Sequence, residues 1–131
     1  MVVVAVAVSI LVLPSRNTAQ EQQPAPQPRH PLFVAIYERG PAWDPAKSVF
    51  EQSSIQDHMQ YLRANITRLI GAAPFQEAFA RDTSDRVVGM VIVSATSAEE
   101  AQAFVNADPA VSTGLMKAFV RRWLADRVRG Y

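Results

Sequence analysis

The chain of 131 residues is long enough for one domain with a buried core, and its 49% hydrophobic and 19% charged content places it among globular proteins. Its 13 basic and 12 acidic side chains are interspersed and leave a formal charge of +1, which excludes the one-signed field that nucleic-acid binding needs. The absence of cysteine excludes disulfides, thiolate metal sites and a cysteine nucleophile.

Residues 1–13, MVVVAVAVSILVL, contain one polar member, Ser9, and are ended by Pro14. A membrane-spanning helix needs about 20 apolar residues, whereas the apolar part of a signal peptide needs roughly 7–15. Residues 1–19 are therefore expected to be an export signal, leaving no stable membrane span in a mature protein that is periplasmic or secreted. A cytoplasmic protein with a misplaced start is the alternative, since no Lys or Arg precedes the apolar run. Residues 20–31, QEQQPAPQPRHP, carry prolines at 24, 26, 28 and 31 and read as an extended, solvated linker that includes His30. The folded domain is expected over residues 32–131.

Leu32 to Tyr37 is a short apolar run rich in β-branched and aromatic residues, which predicts a buried strand. Glu38 to Gln52 has two prolines, one glycine and no period, so it reads as a long loop in which Trp43 is either a lid over a pocket or, the more common outcome for a loop tryptophan, an anchor pinning the loop to the surface. Ile55, Met59, Leu62, Ile66 and Leu69/Ile70 step at helical spacing and predict an amphipathic helix over residues 53–70. Ser53 with Gln56 and Ser54 with Asp57 offer two overlapping capping signals at its start, and Gly71-Ala72-Ala73-Pro74 offers a stop. His58 lies at the edge of the apolar stripe.

Phe75 to Ala80 and Val87 to Ala95 read as two strands joined by a polar connector, and Gly89 marks a bulge or a close approach within the second. Ser97-Ala98-Glu99-Glu100 opens a second helix whose buried stripe is Ala98, Ala101, Phe104 and Val105. Asp108-Pro109 restarts the chain as a cap followed by proline at the first helical position, and Gly114 closes the short turn. Lys117 to Leu124 alternates as a last strand and leads into a basic tail with Arg127 and Arg129.

Strand, helix, strand, strand, helix, strand is the order of a ferredoxin-like α+β fold, βαββαβ, with a four-stranded antiparallel sheet and two main helices on one face. The uncovered face carries apolar residues, and a second copy of the same sheet is the economical cover, so a homodimer is expected.

Tyr37-Glu38-Arg39-Gly40-Pro41, Glu51-Gln52, His58 within Asp57-His58-Met59-Gln60-Tyr61-Leu62-Arg63, Pro74-Phe75, Ala107-Asp108-Pro109-Ala110-Val111 and Arg121-Arg122-Trp123 together resemble the YciI-like (YCII-related) proteins of the dimeric α+β barrel superfamily. The resemblance runs from about Leu32 to about Leu124. Ala73 departs from it where the family usually has the glycine of a Gly-Pro-Phe turn, and the loop Asp82 to Asp85 lacks the usual glycines.

The resemblance implies a His-Asp pair lining a cleft, and the matching positions are His58 and Asp108. A carboxylate bonded to one imidazole nitrogen fixes the tautomer and makes the other a usable general base or acid near neutral pH. The competing roles are structural: Asp108 as a helix cap and His58 as a packed residue. Tyr37, Arg39, Gln52 and Tyr61 are the candidates for substrate contact. Arg39 suits either an anionic group or a surface salt bridge, and Tyr61 lies three residues from His58 on the same helix side. No metal-ligating cluster, phosphate-cradling glycine loop or dinucleotide fingerprint is present in the sequence, so no metal or cofactor is expected. Two functions follow: a cofactor-independent lyase, isomerase or hydrolase acting on a small organic molecule through His58, or a non-catalytic small-ligand-binding or accessory protein.

Overall fold

The computed structural model describes residues 30–125. The expected export signal, all but the last two residues of the linker, and the basic tail lie outside them. The elements in order are β1 (Leu32–Arg39), α1 (Ile55–Ala64), β2 (Leu69–Pro74), β3 (Val87–Ser94), α2 (Ala98–Asn106), α3 (Pro109–Ser112) and β4 (Met116–Trp123), with short 3-10 turns between some of them. The sheet order is β2-β3-β1-β4 and every neighbouring pair is antiparallel. This is the expected ferredoxin-like βαββαβ arrangement.

Period-two alternation in β1 divides the sheet into two faces. Phe33, Ala35 and Tyr37 stand opposite Val93, Val91 and Gly89 of β3 and join Ala101, Phe104 and Val105 of α2 in one core. Val34 and Ile36 stand opposite Ile92 and Met90 on the other face. Phe119 and Trp123 of β4 share that second face and keep 45% and 39% of their surface exposed.

Two sequence expectations need correction. The helix ends at Ala64 instead of Ile70, and the second strand is Leu69–Pro74, while Phe75 to Ala80 forms a 3-10 turn at Gln76–Phe79 in place of the expected strand. Asn65 terminates α1 with φ −110°, and its side-chain Nδ2 donates to the Tyr61 carbonyl at 2.9 Å. Beyond that point the apolar stripe has nothing to bury against as a helix; Ile66 is 64% exposed. The small residues Gly71 to Ala73 instead satisfy their backbone groups along β3, and Pro74 is tolerated because β2 is an edge strand. Gly89 serves both roles offered to it. A Cβ there would sit 2.6 Å from the Ala73 carbonyl oxygen, and the register of β1 against β3 shifts beside it, between Tyr37 and Glu38.

The helix starts are also partly different from expectation. Ser54 occupies the N-cap of α1 in the left-handed region, φ 61°, and makes no side-chain cap. Ser97 caps α2 as expected, its Oγ accepting from the Glu100 N–H at 3.2 Å. Trp43 is buried against the core with the Arg39 guanidinium 5.1 Å from its ring centroid, the anchoring role expected of it.

Candidate active site

The site is built from the chain reversal between α2 and α3. Asp108 is extended, with Pro109 at the first helical position, so its carboxylate turns back over the helix start and Oδ1 accepts from the Ala110 N–H at 2.9 Å. This cap is completely buried. A buried carboxylate needs more than one donor to offset its desolvation, and two arrive from other elements. Tyr37 at the end of β1 donates its hydroxyl to Oδ2 at 3.0 Å, and His58 of α1 places Nδ1 2.8 Å from Oδ2 and 2.9 Å from Oδ1.

These contacts settle the histidine's orientation. A carboxylate only accepts, so Nδ1 carries a hydrogen whether the ring is neutral or charged. The Tyr37 and His58 rings meet edge to face, with centroids 5.6 Å apart, which restrains the imidazole from a second side. Nε2 has no hydrogen-bond partner among the described residues. Burial first, and then the Asp108 carboxylate, push the Tyr37 hydroxyl far above the ordinary tyrosine range, so it stays a donor and is not a base.

His58 and Tyr37 both border a cavity of about 280 Å³ between α1 and the β2/β3 side of the sheet. Its walls are mainly apolar, with Ile55, Met59, Leu62, Leu69, Val88 and Val91 prominent. Among the described residues, the polar side chains on its lining are Tyr37, His58 and Arg63.

The remaining candidates lie elsewhere. Arg39 donates to the carbonyls of Thr83, Glu77 and Ala80 and so ties β1 to the connector before β3. Gln52 is buried and bonds the Asp44 N–H and the carbonyls of Asp44 and Lys47, closing its own loop. Tyr61 donates to the Phe104 carbonyl at 2.7 Å and fastens α1 to α2. None of the three borders the cavity. Apart from Arg39 Nε, which is buried without a partner among the described residues, their polar groups are engaged by backbone acceptors and donors that no sequence spacing reveals.

Sequence reasoning missed Arg63, Met59 and Leu62 as cavity residues. An apolar stripe facing a hollow has the same period as one facing a packed core, and the helix keeps only Ile55 fully buried. Among the described residues no group of three or more His, Asp or Glu side chains could hold a metal ion, and no helix is long and apolar enough to cross a membrane.

A βαββαβ sheet with a His-Asp pair beside a cavity under α1 defines a ferredoxin-like α+β domain with a candidate acid-base site. The chain belongs to the YCII-related domain family, whose pattern matches residues 42–124. Among solved structures it is similar to 5-chloro-2-hydroxyhydroquinone dehydrochlorinase from Burkholderia phenoliruptrix AC1100 in complex with 2,5-dihydroxybenzoquinone. The two share 24% identity at a TM-score of 0.53, over 70% of this chain and 92% of that one, a likeness of fold. Comparison with curated proteins finds no match.

Proposed function

We propose that the protein is a cofactor-independent enzyme in which His58 moves a proton on a small, largely apolar organic molecule held in the cavity. The observation that carries this reading is the commitment of Nδ1 to a fully buried carboxylate while the same imidazole borders a cavity. In the neutral ring Nε2 is the basic nitrogen. It takes a proton from an acidic C–H or O–H of the bound molecule, and Asp108 stabilises the imidazolium that forms. The proton then returns to a leaving group, which gives elimination, or to another atom of the same skeleton, which gives isomerisation; in hydrolysis Nε2 instead takes the proton of a water that attacks the bound molecule and passes it to the leaving group. The solved dehydrochlorinase binds 2,5-dihydroxybenzoquinone, which supports the idea that this fold accommodates a small ring molecule.

A screen of small aromatic and carbonyl compounds against wild type and His58→Ala tests the reading. Turnover in the wild type that falls at least about 100-fold in the variant is the expected result. Equal turnover in both ends it, and binding without turnover favours the non-catalytic ligand-binding role. We also propose that a second copy covers the open sheet face bearing Val34, Ile36, Phe119 and Trp123, and that residues 1–19 direct export. A monomeric mass at micromolar concentration in light scattering would remove the first, and exported material beginning at Met1 would argue against cleavage of the second.

A further inference from the structure

Arg63 is the one cavity residue whose chemistry the acid-base reading leaves unused. It lies on the exposed side of α1, in its last turn, and borders the cavity with Met59, Leu62 and Ile66. Arg39, Arg68, Arg81 and Arg86 each bond a carbonyl or carboxylate, whereas Arg63 makes no ion pair or hydrogen bond with a described residue. An unpaired guanidinium beside an apolar hollow is a pre-placed partner for an anion, because it need not first break a bond of its own.

The spacing sets what can reach both ends. His58 and Arg63 are five residues apart on one helix, about 7.5 Å of axial rise and roughly 140° around the axis, so they border the cavity from opposite flanks of the apolar stripe and a molecule reaching both must span the stripe. A cavity of about 280 Å³ is roughly twice the ~150 Å³ space that holds a benzene, so it takes one ring with substituents. We infer that the site selects a single-ring or similarly sized apolar molecule carrying an anionic group at the end away from its reacting group, with Arg63 binding that anion at the rim. Arg63 is then a specificity-determining residue, not a proton-transfer group. This inference rests on the acid-base reading for the location of the reacting end.

The test uses the full chain and two probes of one shape, 4-hydroxyphenylacetate and its neutral carboxamide, 4-hydroxyphenylacetamide, with affinities read by NMR titration. Wild type is expected to favour the carboxylate by about 5-fold or more, with the preference shrinking as salt is added. Arg63→Gln should abolish the preference by weakening the carboxylate alone, and Arg63→Lys should keep most of it. Equal weakening of both probes in Arg63→Gln, an undiminished preference, or failure of wild type to bind either probe overturns the inference. His58→Gln separates the two claims: it is expected to keep the charge preference, and equal turnover by wild type and this variant in the substrate screen would sink the acid-base reading while leaving the preference standing.

Discussion

Replacing Asp108 by Asn tests the centre of the site with almost no change of shape. The amide oxygen can keep the cap on Ala110 from the Oδ1 position, which puts the amide nitrogen at Oδ2. That nitrogen only donates, and it would stand 2.8 Å from His58 Nδ1 and 3.0 Å from the Tyr37 hydroxyl. The tyrosine adapts by rotating its hydrogen; His58 either turns its Nδ1 hydrogen wholly onto the amide oxygen 2.9 Å away or carries it on Nε2 and accepts from the amide nitrogen, and the second arrangement, which removes the donor–donor contact at 2.8 Å, is the one expected. Three charge-assisted bonds become neutral ones at a loss of about 1 kcal/mol each, and relief of the buried charge returns part of this. A net destabilisation of about 2 kcal/mol is expected, small against a total of about 5–15 kcal/mol, so the variant should fold. Urea denaturation reads the stability. Long-range nitrogen–proton NMR reads the tautomer, and with only two histidines in the chain the assignment is simple. The expected spectrum shows the His58 hydrogen moved to Nε2, and activity should fall with it because the basic nitrogen then faces the amide. Unchanged stability with the hydrogen still on Nδ1 would refute the account of the cluster.

Tyr37 should leave a signature at high pH. Its folded pKa is raised above the ordinary 10.0, chiefly by burial, so the native state holds a proton that the unfolded chain releases. Its contribution is complete below about pH 10 and is lost above it, at about 1.4 kcal/mol per pH unit for as long as the native phenol stays protonated. Tyr37→Phe should remove that slope in pH-dependent denaturation while costing about 1 kcal/mol at neutral pH through the lost bond to Asp108; equal alkaline slopes in the two proteins would count against it. Gly89→Ala pushes a methyl against the Ala73 carbonyl and Pro74, and should destabilise by about 1–3 kcal/mol with faster hydrogen exchange along β2; an unaltered exchange pattern would show that β2 does not pack there.

The α+β order, the strand at β1, the caps at Ser97 and Asp108 and the central β3 all follow from period, turn chemistry and capping residues, because those signals act over a few residues. The α1–β2 boundary does not, since Ile66 to Ile70 continues a helical apolar period with no strong breaker before Gly71. Tertiary pairing decides it: β3 offers Leu69 to Pro74 a ladder of backbone partners, and no packed surface rewards another helical turn at the exposed Ile66.

The site divides in the same way. Local sequence determined that Asp108 caps a helix and that His58 borders an apolar stripe, and family resemblance paired them. Only the folded chain, by packing α1 against α3 and bringing the end of β1 to the same point, set the Tyr37 hydroxyl on the same carboxylate and left a hollow beside the imidazole. Hydrogen bonds and cavities between residues 50 to 71 positions apart depend on how layers stack, and no window of sequence contains that information.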